Sequence, residues 1–203
     1  MIKTAKHREK ILVMLLKDMG IKKTVSSIAH EIGLSRVGAW KILKKMEAEG
    51  IIAISRVGAG DTSALFIELN WVCPILEKTL SLALMEDAIR NPRWMDTFKE
   101  LQPKADFLLL YGSAISSPRE ANDIDILCIS GGRQKILEID RIISKIQKTQ
   151  LRKIHALCLT PRELASELSK PNMPYVDALK KGIVLFGQDE FVAFMRGVWR
   201  HGR

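Results

Sequence analysis

Cysteine is scarce in this sequence, and its placement removes two architectures at once. Cys73, Cys128 and Cys158 are the three cysteines, an odd number with no pair at metal-ligand spacing. A disulfide framework and a cysteine-ligated metal site therefore both lack their residues. Each cysteine stands among apolar neighbours, as in Ile126-Leu127-Cys128-Ile129. That setting predicts buried free thiols in a reducing compartment. His7, His30 and His201 are too far apart for helical metal-ligand spacing and read as structural or exposed.

Long apolar runs are missing as well. The run from Ile11 to Leu16 lies between charged flanks, is too short to span a membrane and lacks a cleavage-site pattern. A cytoplasmic protein with no membrane partner is the expectation. The glycine patterns of Walker loops and of dinucleotide-binding loops do not occur. No serine occupies a nucleophile elbow, so hydrolase chemistry of that type has no carrier. Internal repeats and low-complexity tracts are absent too.

What the chain does have is positive charge and enough apolar residues for a core. Hydrophobic residues make up 47%, and 32 Lys+Arg face 23 Asp+Glu for a net charge of +9. The excess is densest at the front, where residues 1–70 hold 12 basic against 7 acidic side chains. A basic balance suits polyanions, because neutralised phosphates release condensed counterions. A generally basic, solvated surface explains the same numbers.

Apolar spacing predicts a first helix over 5–19, with Ile11, Leu12, Leu15, Leu16 and Met19 on one side and Gly20 as its stop. Thr24 is an N-cap candidate for a second helix, with Val25, Ile28, Ala29 and Ile32 as its apolar side and Gly33 at its end. Ser35 caps a third helix to about Glu49, closed by Gly50. Ile51, Ile52 and Ile54 open a β-rich stretch, Gly58, Gly60 and Asp61 make a turn, and Ala64–Leu69 runs back in alternation. The phrase Thr24-Val25-Ser26-Ser27-Ile28-Ala29, then Gly33-Leu34-Ser35, then Met46-Glu47-Ala48-Glu49-Gly50-Ile51-Ile52 resembles the winged helix-turn-helix domains of prokaryotic transcription regulators.

The resemblance implies double-stranded DNA as partner. A helix in the major groove needs polar and basic residues on one face and apolar residues on the other. Ala39, Leu43 and Met46 are expected inward with Ile42 beside them, leaving Ser35, Arg36, Gly38, Lys41, Lys44 and Lys45 outward. Arg36 is the candidate for a guanine edge, and Lys41, Lys44 and Lys45 are candidates for phosphates. In the hairpin, Arg56 and the Gly58–Gly60 tip are candidates for a minor groove or a phosphate. Trp40 suits either the core rim or the DNA face. Winged helices also serve as protein-interaction modules, so both partner types stay open.

Residues 75–101 read as one or two helices broken near Asn91-Pro92, and 71–104 as a helical linker with room to support dimerisation. A homodimer fits paired half-sites, although the sequence carries no dedicated dimer signature. From Asp106 the pattern changes. Phe107–Leu110 is a short buried strand ending at Tyr111-Gly112-Ser113, and Asp123–Ile129 is a second. A helix over 133–148 is expected to turn Ile136, Ile139, Ile143 and Ile146 inward. A strand over Ile154–Leu159, a helix opened by Pro161, a helix near Tyr175–Lys181, a strand over Ile183–Phe186 and a last helix from Asp189 to Trp199 complete the chain. Arg196, Arg200 and Arg203 around Trp199 suit a basic helix end.

Residues two apart on a strand share a face, so Asp123 and Asp125 present two carboxylates side by side while Ile124 and Ile126 face the core. Paired carboxylates hold Mg²⁺ or Mn²⁺ together with substrate phosphates. Gly112 allows close backbone approach, and Ser113 adds a hydroxyl at the start of a short helix. The run from the apolar strand through Gly112-Ser113 to Asn122-Asp123-Ile124-Asp125-Ile126-Leu127 and the helix after it resembles the minimal nucleotidyltransferases of the polymerase β superfamily, over about Asp106 to Phe186.

That resemblance implies a nucleoside triphosphate held at Gly112 and Ser113, metals on Asp123 and Asp125, and transfer of a nucleotidyl group, often AMP, to a hydroxyl. The acceptor can be a protein, a nucleic acid or a small molecule, and an antitoxin-like role is one form of it. Two positions depart from the family pattern. The strand Lys153-Ile154-His155-Ala156-Leu157-Cys158 lacks the third carboxylate, and His155 stands near its place as a proton acceptor or as a structural residue. The arginine that often follows Gly-Ser is replaced by Ala114-Ile115-Ser116-Ser117, leaving Arg119 or Arg133 to supply the contact. The expected fold is α+β, with a winged helix-turn-helix over 1–70 and a mixed-sheet nucleotidyltransferase-like domain over 105–203. The expected function is DNA-associated nucleotidyl transfer, transcription regulation with a catalytically degenerate transferase module that senses a nucleotide or mediates assembly, or a protein-interaction scaffold that uses neither DNA nor nucleotide.

Overall fold

The computed structural model describes residues 2–18, 21–57, 64–170 and 173–201. They fall into two compact units, 1–83 with 195–203 and 84–194. The fold is of mixed α+β class, with one three-stranded and one four-stranded sheet. None of the described helices is long and apolar enough to cross a membrane. The expected stop at Gly20 and the Gly58–Gly60 tip lie outside the described residues.

The first unit opens with α1 (Ile2–Lys17), which buries Ile11, Leu12, Leu15 and Leu16. A two-residue strand, β1 (Lys23–Thr24), precedes α2 (Val25–Ile32). Thr24 caps α2 through a reciprocal pair of bonds. Its Oγ1 accepts from the Ser27 N–H at 3.2 Å, and its own N–H donates to the Ser27 hydroxyl at 2.9 Å. Gly33 ends α2 in the left-handed region at φ 71°, where a side chain is strained. Ser35 then caps α3 (Arg36–Ala48), its hydroxyl accepting from the Gly38 N–H at 3.1 Å. The inward face of α3 is Ala39, Leu43 and Met46, as the spacing predicts.

The strands β2 (Ile52–Val57) and β3 (Ala64–Leu69) pair antiparallel, and β1 joins the other edge of β3. Lys23 is buried at the β1 edge, where its ammonium pairs with Asp18 at 2.7 Å and also with Glu31. Burial would pull the Lys23 ammonium down, but those two carboxylates outweigh it and hold it above the ordinary lysine value. The region expected as a linker contains α4 (Leu76–Ile89), α5 (Pro92–Phe98) and a 3₁₀ turn over Lys99–Leu101. Its residues divide between the two units after Ala83.

The second unit is built on β4 (Phe107–Tyr111), followed by the short α6 (Ser113–Ser116), β5 (Asp123–Ile129), α7 (Arg133–Gln147) and β6 (Lys153–Leu159). Then come α8 (Pro161–Leu168), α9 (Met173–Lys181), β7 (Ile183–Phe186) and α10 (Gln188–His201), whose residues from Met195 on belong to the first unit. The strand order is β6-β5-β4-β7, with β4 antiparallel to both β5 and β7 and β6 parallel to β5. The parallel pair requires a crossover, and α7 supplies it. Ile139, Ile143 and Ile146 of α7 join a core containing Leu108, Leu110, Ile124 and Ile126. Ile136, expected inward, is only half-buried one turn earlier.

The cysteines require a correction. All three are free thiols, but only Cys128 is buried, and Cys73 and Cys158 are half-exposed. An apolar run in sequence does not report depth at a sheet edge, which is where β6 lies.

Candidate functional site

Strand alternation and register bring the site together. On β5, Ile124 and Ile126 are buried in the core, while Asp123 and Asp125 are half-exposed on the opposite face. The parallel register sets His155 of β6 opposite Asp125. His155 Nδ1 lies 3.3 Å from Asp123 Oδ2 and 3.7 Å from Asp125 Oδ1. One ligand atom from each of the three residues can be chosen so that all lie within 4.8 Å of one another.

β4 brings the phosphate-side candidates to the same place. Tyr111 is the register partner of Asp125. Gly112 follows at φ 75° and ψ −155°, a conformation essentially reserved for glycine, and is the N-cap residue of α6. A Cβ there would overlap Asp125 Oδ2 and stand 3.1 Å from its Cγ. The Ser113 hydroxyl faces Asp123 Oδ1 at 3.5 Å. Gly112, Ser113, Asp123, Asp125 and His155 therefore converge.

The electrostatics follow from that crowding. Burial, and next the charge of Asp123, push the Asp125 carboxyl above the usual aspartate value, while His155 pulls the other way. The Tyr111 hydroxyl is pushed up to about 12, first by burial and then by Asp125, with Tyr175 and Asp123 adding to it. It is therefore an O–H donor at neutral pH. Sequence reasoning gave Tyr111 no role of its own. The signal was its position immediately before Gly112, which alternation and pairing turn toward Asp125.

Two side chains fasten the start of β6 and so position His155. The Gln147 side-chain oxygen accepts from the Ile154 N–H at 2.7 Å, and its amide donates to the Arg152 carbonyl at 3.0 Å. Arg152 donates from its guanidinium to the Pro118 carbonyl at 2.7 Å and the Arg119 carbonyl at 3.4 Å. The loop after α6 is thereby tied to the loop before β6. Arg119, one of the two candidates for the missing arginine, is exposed in that loop. Arg133, the other, opens α7 beyond the far end of β5 from Asp123. Its charge acts on Glu163, which it helps hold below the usual glutamate value after the Thr160 bonds. At about 3.3 Å per strand residue, the length of β5 separates Arg133 from the cluster.

On α3, Ser35, Arg36, Lys41, Lys44 and Lys45 are exposed, and Arg56 of β2 is exposed too. Ser35 is also the cap of α3. Lys44 pairs with Glu47 and lies 5.4 Å from the centre of the half-buried Trp40 ring. Val37, which sequence reasoning passed over, is 65% exposed beside Arg36. Near the C-terminus, Arg196 pairs with Glu77 and lies 6.0 Å from the Trp71 ring. The Trp199 and Arg200 side chains and Arg203 lie outside the described residues.

No family model matches the chain, and neither a curated protein nor a solved structure does.

Proposed function

We propose that the second unit transfers a nucleotidyl group, AMP being the leading candidate, from a nucleoside triphosphate to the hydroxyl of a partner. In this reading the α2–α3–hairpin region is a winged helix-turn-helix that carries the chain to double-stranded DNA. The observation that carries the transfer reading is the convergence of Asp123 and Asp125 with Gly112 and Ser113 where β4 ends and β5 begins.

The donor set fits a divalent ion: two carboxylate oxygens stand beside an imidazole nitrogen, and glycine is the residue that leaves them room. Mg²⁺ or Mn²⁺ bound by Asp123 and Asp125 would activate the acceptor hydroxyl and stabilise the departing pyrophosphate. The α6 N-terminal N–H groups and the Ser113 hydroxyl orient the triphosphate. Tyr111 donates a hydrogen bond from its protonated hydroxyl. In the transfer, the acceptor oxygen bonds to the α-phosphorus, the bond to pyrophosphate breaks, and the hydroxyl proton passes to water.

A second reading has a specific observation in its favour. The strand after the crossover offers His155 and no carboxylate, so the chain suits a transcription regulator whose transferase-like unit binds nucleotide without turnover. Exposure of Arg36, Lys41 and Lys45 on α3 supports the DNA part in either case.

Calorimetric titration of ATP and then the other triphosphates, with and without Mg²⁺, tests both readings against wild type and Asp123→Asn. Metal-dependent binding that disappears in the variant supports a nucleotide site, and release of pyrophosphate with a partner protein present supports transfer. Absence of binding by every triphosphate removes both the transfer reading and nucleotide binding without turnover.

A further inference from the structure

We infer that His155 is a third metal ligand, and that its imidazole tunes the Asp123–Asp125 site toward a borderline transition ion of the Co²⁺ or Zn²⁺ kind and away from Mg²⁺. This rests on the reading of the two aspartates as a metal pair and names the ion class they serve. It replaces a proton-accepting role for His155.

The geometry comes first. Two ligands that each stand about 2.1 Å from one ion lie roughly 3–3.5 Å apart. The Nδ1–Asp123 separation of 3.3 Å falls within that spacing, and the Nδ1–Asp125 separation of 3.7 Å lies just beyond it. Nδ1 faces the carboxylate pair itself, and Nε2 has no hydrogen-bond partner among the described residues. The second point is rigidity. His155 is carried by a strand in register with β5, and the Gln147 bond to the Ile154 N–H fixes that strand one residue before it. Such placement fixes the backbone that carries the imidazole.

The third point is donor chemistry. Mg²⁺ takes oxygen ligands and gives up its water reluctantly. Imidazole suits the later first-row ions, whose affinity for mixed nitrogen and oxygen sites rises from Mn²⁺ through Co²⁺. An imidazole in place of a carboxylate also removes one negative charge from the site. That lowers its attraction for a hard ion, while the nitrogen adds affinity for a borderline one. Gly112 has no Cβ to overlap Asp125 Oδ2, so that carboxylate keeps its place beside His155.

Co²⁺ and Mg²⁺ titrations of the full chain test this, with the visible absorption of Co²⁺ as a readout independent of activity. The variants are His155→Ala, His155→Asp and Asp123→Asn, with His155→Asn replacing the alanine variant where that fails to fold. His155→Ala should weaken Co²⁺ binding about tenfold or more and change its absorption, with Mg²⁺ affinity nearly constant. His155→Asp should bring the two metals together by raising Mg²⁺ affinity. Unchanged Co²⁺ affinity and absorption in His155→Ala overturns the inference and leaves the transfer reading standing. Metal binding that ignores Asp123→Asn overturns the metal pair itself, and the transfer reading with it.

Discussion

Gly112 and Asp125 stand so close that a single added carbon on the glycine would overlap the carboxylate Oδ2. Gly112→Ala therefore meets two obstacles, the positive φ and the carboxylate. The strained backbone alone costs about 1–3 kcal/mol. Urea unfolding should show that loss, and calorimetry should show triphosphate binding reduced or gone. Binding at wild-type affinity would deny Gly112 its part in the phosphate cradle.

Asp125 gives a pH prediction. Its folded carboxyl is pushed above the unfolded value, so the folded chain holds its proton to higher pH than the unfolded chain does. The associated stability is present below the ordinary aspartate value and is lost as pH rises through the folded one. At neutral pH the ionised Asp125 is thus a burden on the apo protein. Asp125→Asn should raise the melting temperature at pH 7, with the gain shrinking toward pH 3, while abolishing metal binding. A lower melting temperature at pH 7 would contradict this account.

Ser35 carries two roles that substitution can separate. Loss of its cap in Ser35→Ala should cost about 1 kcal/mol of stability. Ser35→Asn restores a capping oxygen. Under the proposed DNA-binding reading, Ser35→Asn also restores DNA affinity if capping is the residue's whole contribution; if the hydroxyl meets a phosphate, stability returns and affinity does not. Thermal melts and gel-shift titrations on the same samples decide it.

Lys41 and Lys44 are both exposed on α3, but only Lys44 has a carboxylate partner there, Glu47. Under the proposed DNA-binding reading, Lys41→Ala should weaken DNA binding and lower the salt slope by about 1, whereas Lys44→Ala should do less. Glu47→Gln releases Lys44 and should tighten binding at low salt. Equal effects of the two lysine substitutions would mean the ion pair opens without consequence when DNA arrives.

Lys23 should be the most sensitive charged position of the first unit. Lys23→Met removes the buried ammonium that pairs with Asp18 and Glu31, and breaking a buried pair from one side typically costs about 3–5 kcal/mol. Its ammonium is held above the ordinary lysine value, so its contribution is intact at neutral pH and fades as pH rises through that elevated value. Denaturant unfolding of wild type and variant at pH 7 and pH 11 should show their difference narrowing at the higher pH.

The sequence reveals best what is decided locally. Thr24 and Ser35 as caps, Gly33 as a stop, and the Ala39-Leu43-Met46 face all depend on neighbours within four positions. The Asp123–Asp125 pair is equally readable, because alternation on a strand needs no partner. Other features depend on pairing across long stretches of chain. The two-residue β1 is too short to show a period, and Thr24 can be recognised only in its other role as a cap. The closeness of His155 to Asp123 is set by the β5–β6 register. The half-exposure of Cys158 comes from the edge position of β6, and the distance of Arg133 from the site comes from the direction of β5. None of these has a local signature.

The order β6-β5-β4-β7 carries a consequence for synthesis. β4, β5 and β6 follow one another in the chain, so every side chain of the Asp123–Asp125–His155 cluster leaves the ribosome before β7 does. Until β7 arrives, one side of β4 shows a row of unpaired backbone groups flanked by Leu108, Leu109 and Leu110. An open apolar edge of this kind invites pairing with another nascent chain. A ribosome that stalls between β6 and β7 would therefore release a fragment with Asp123, Asp125 and His155 already made and the β7 side of β4 still uncovered.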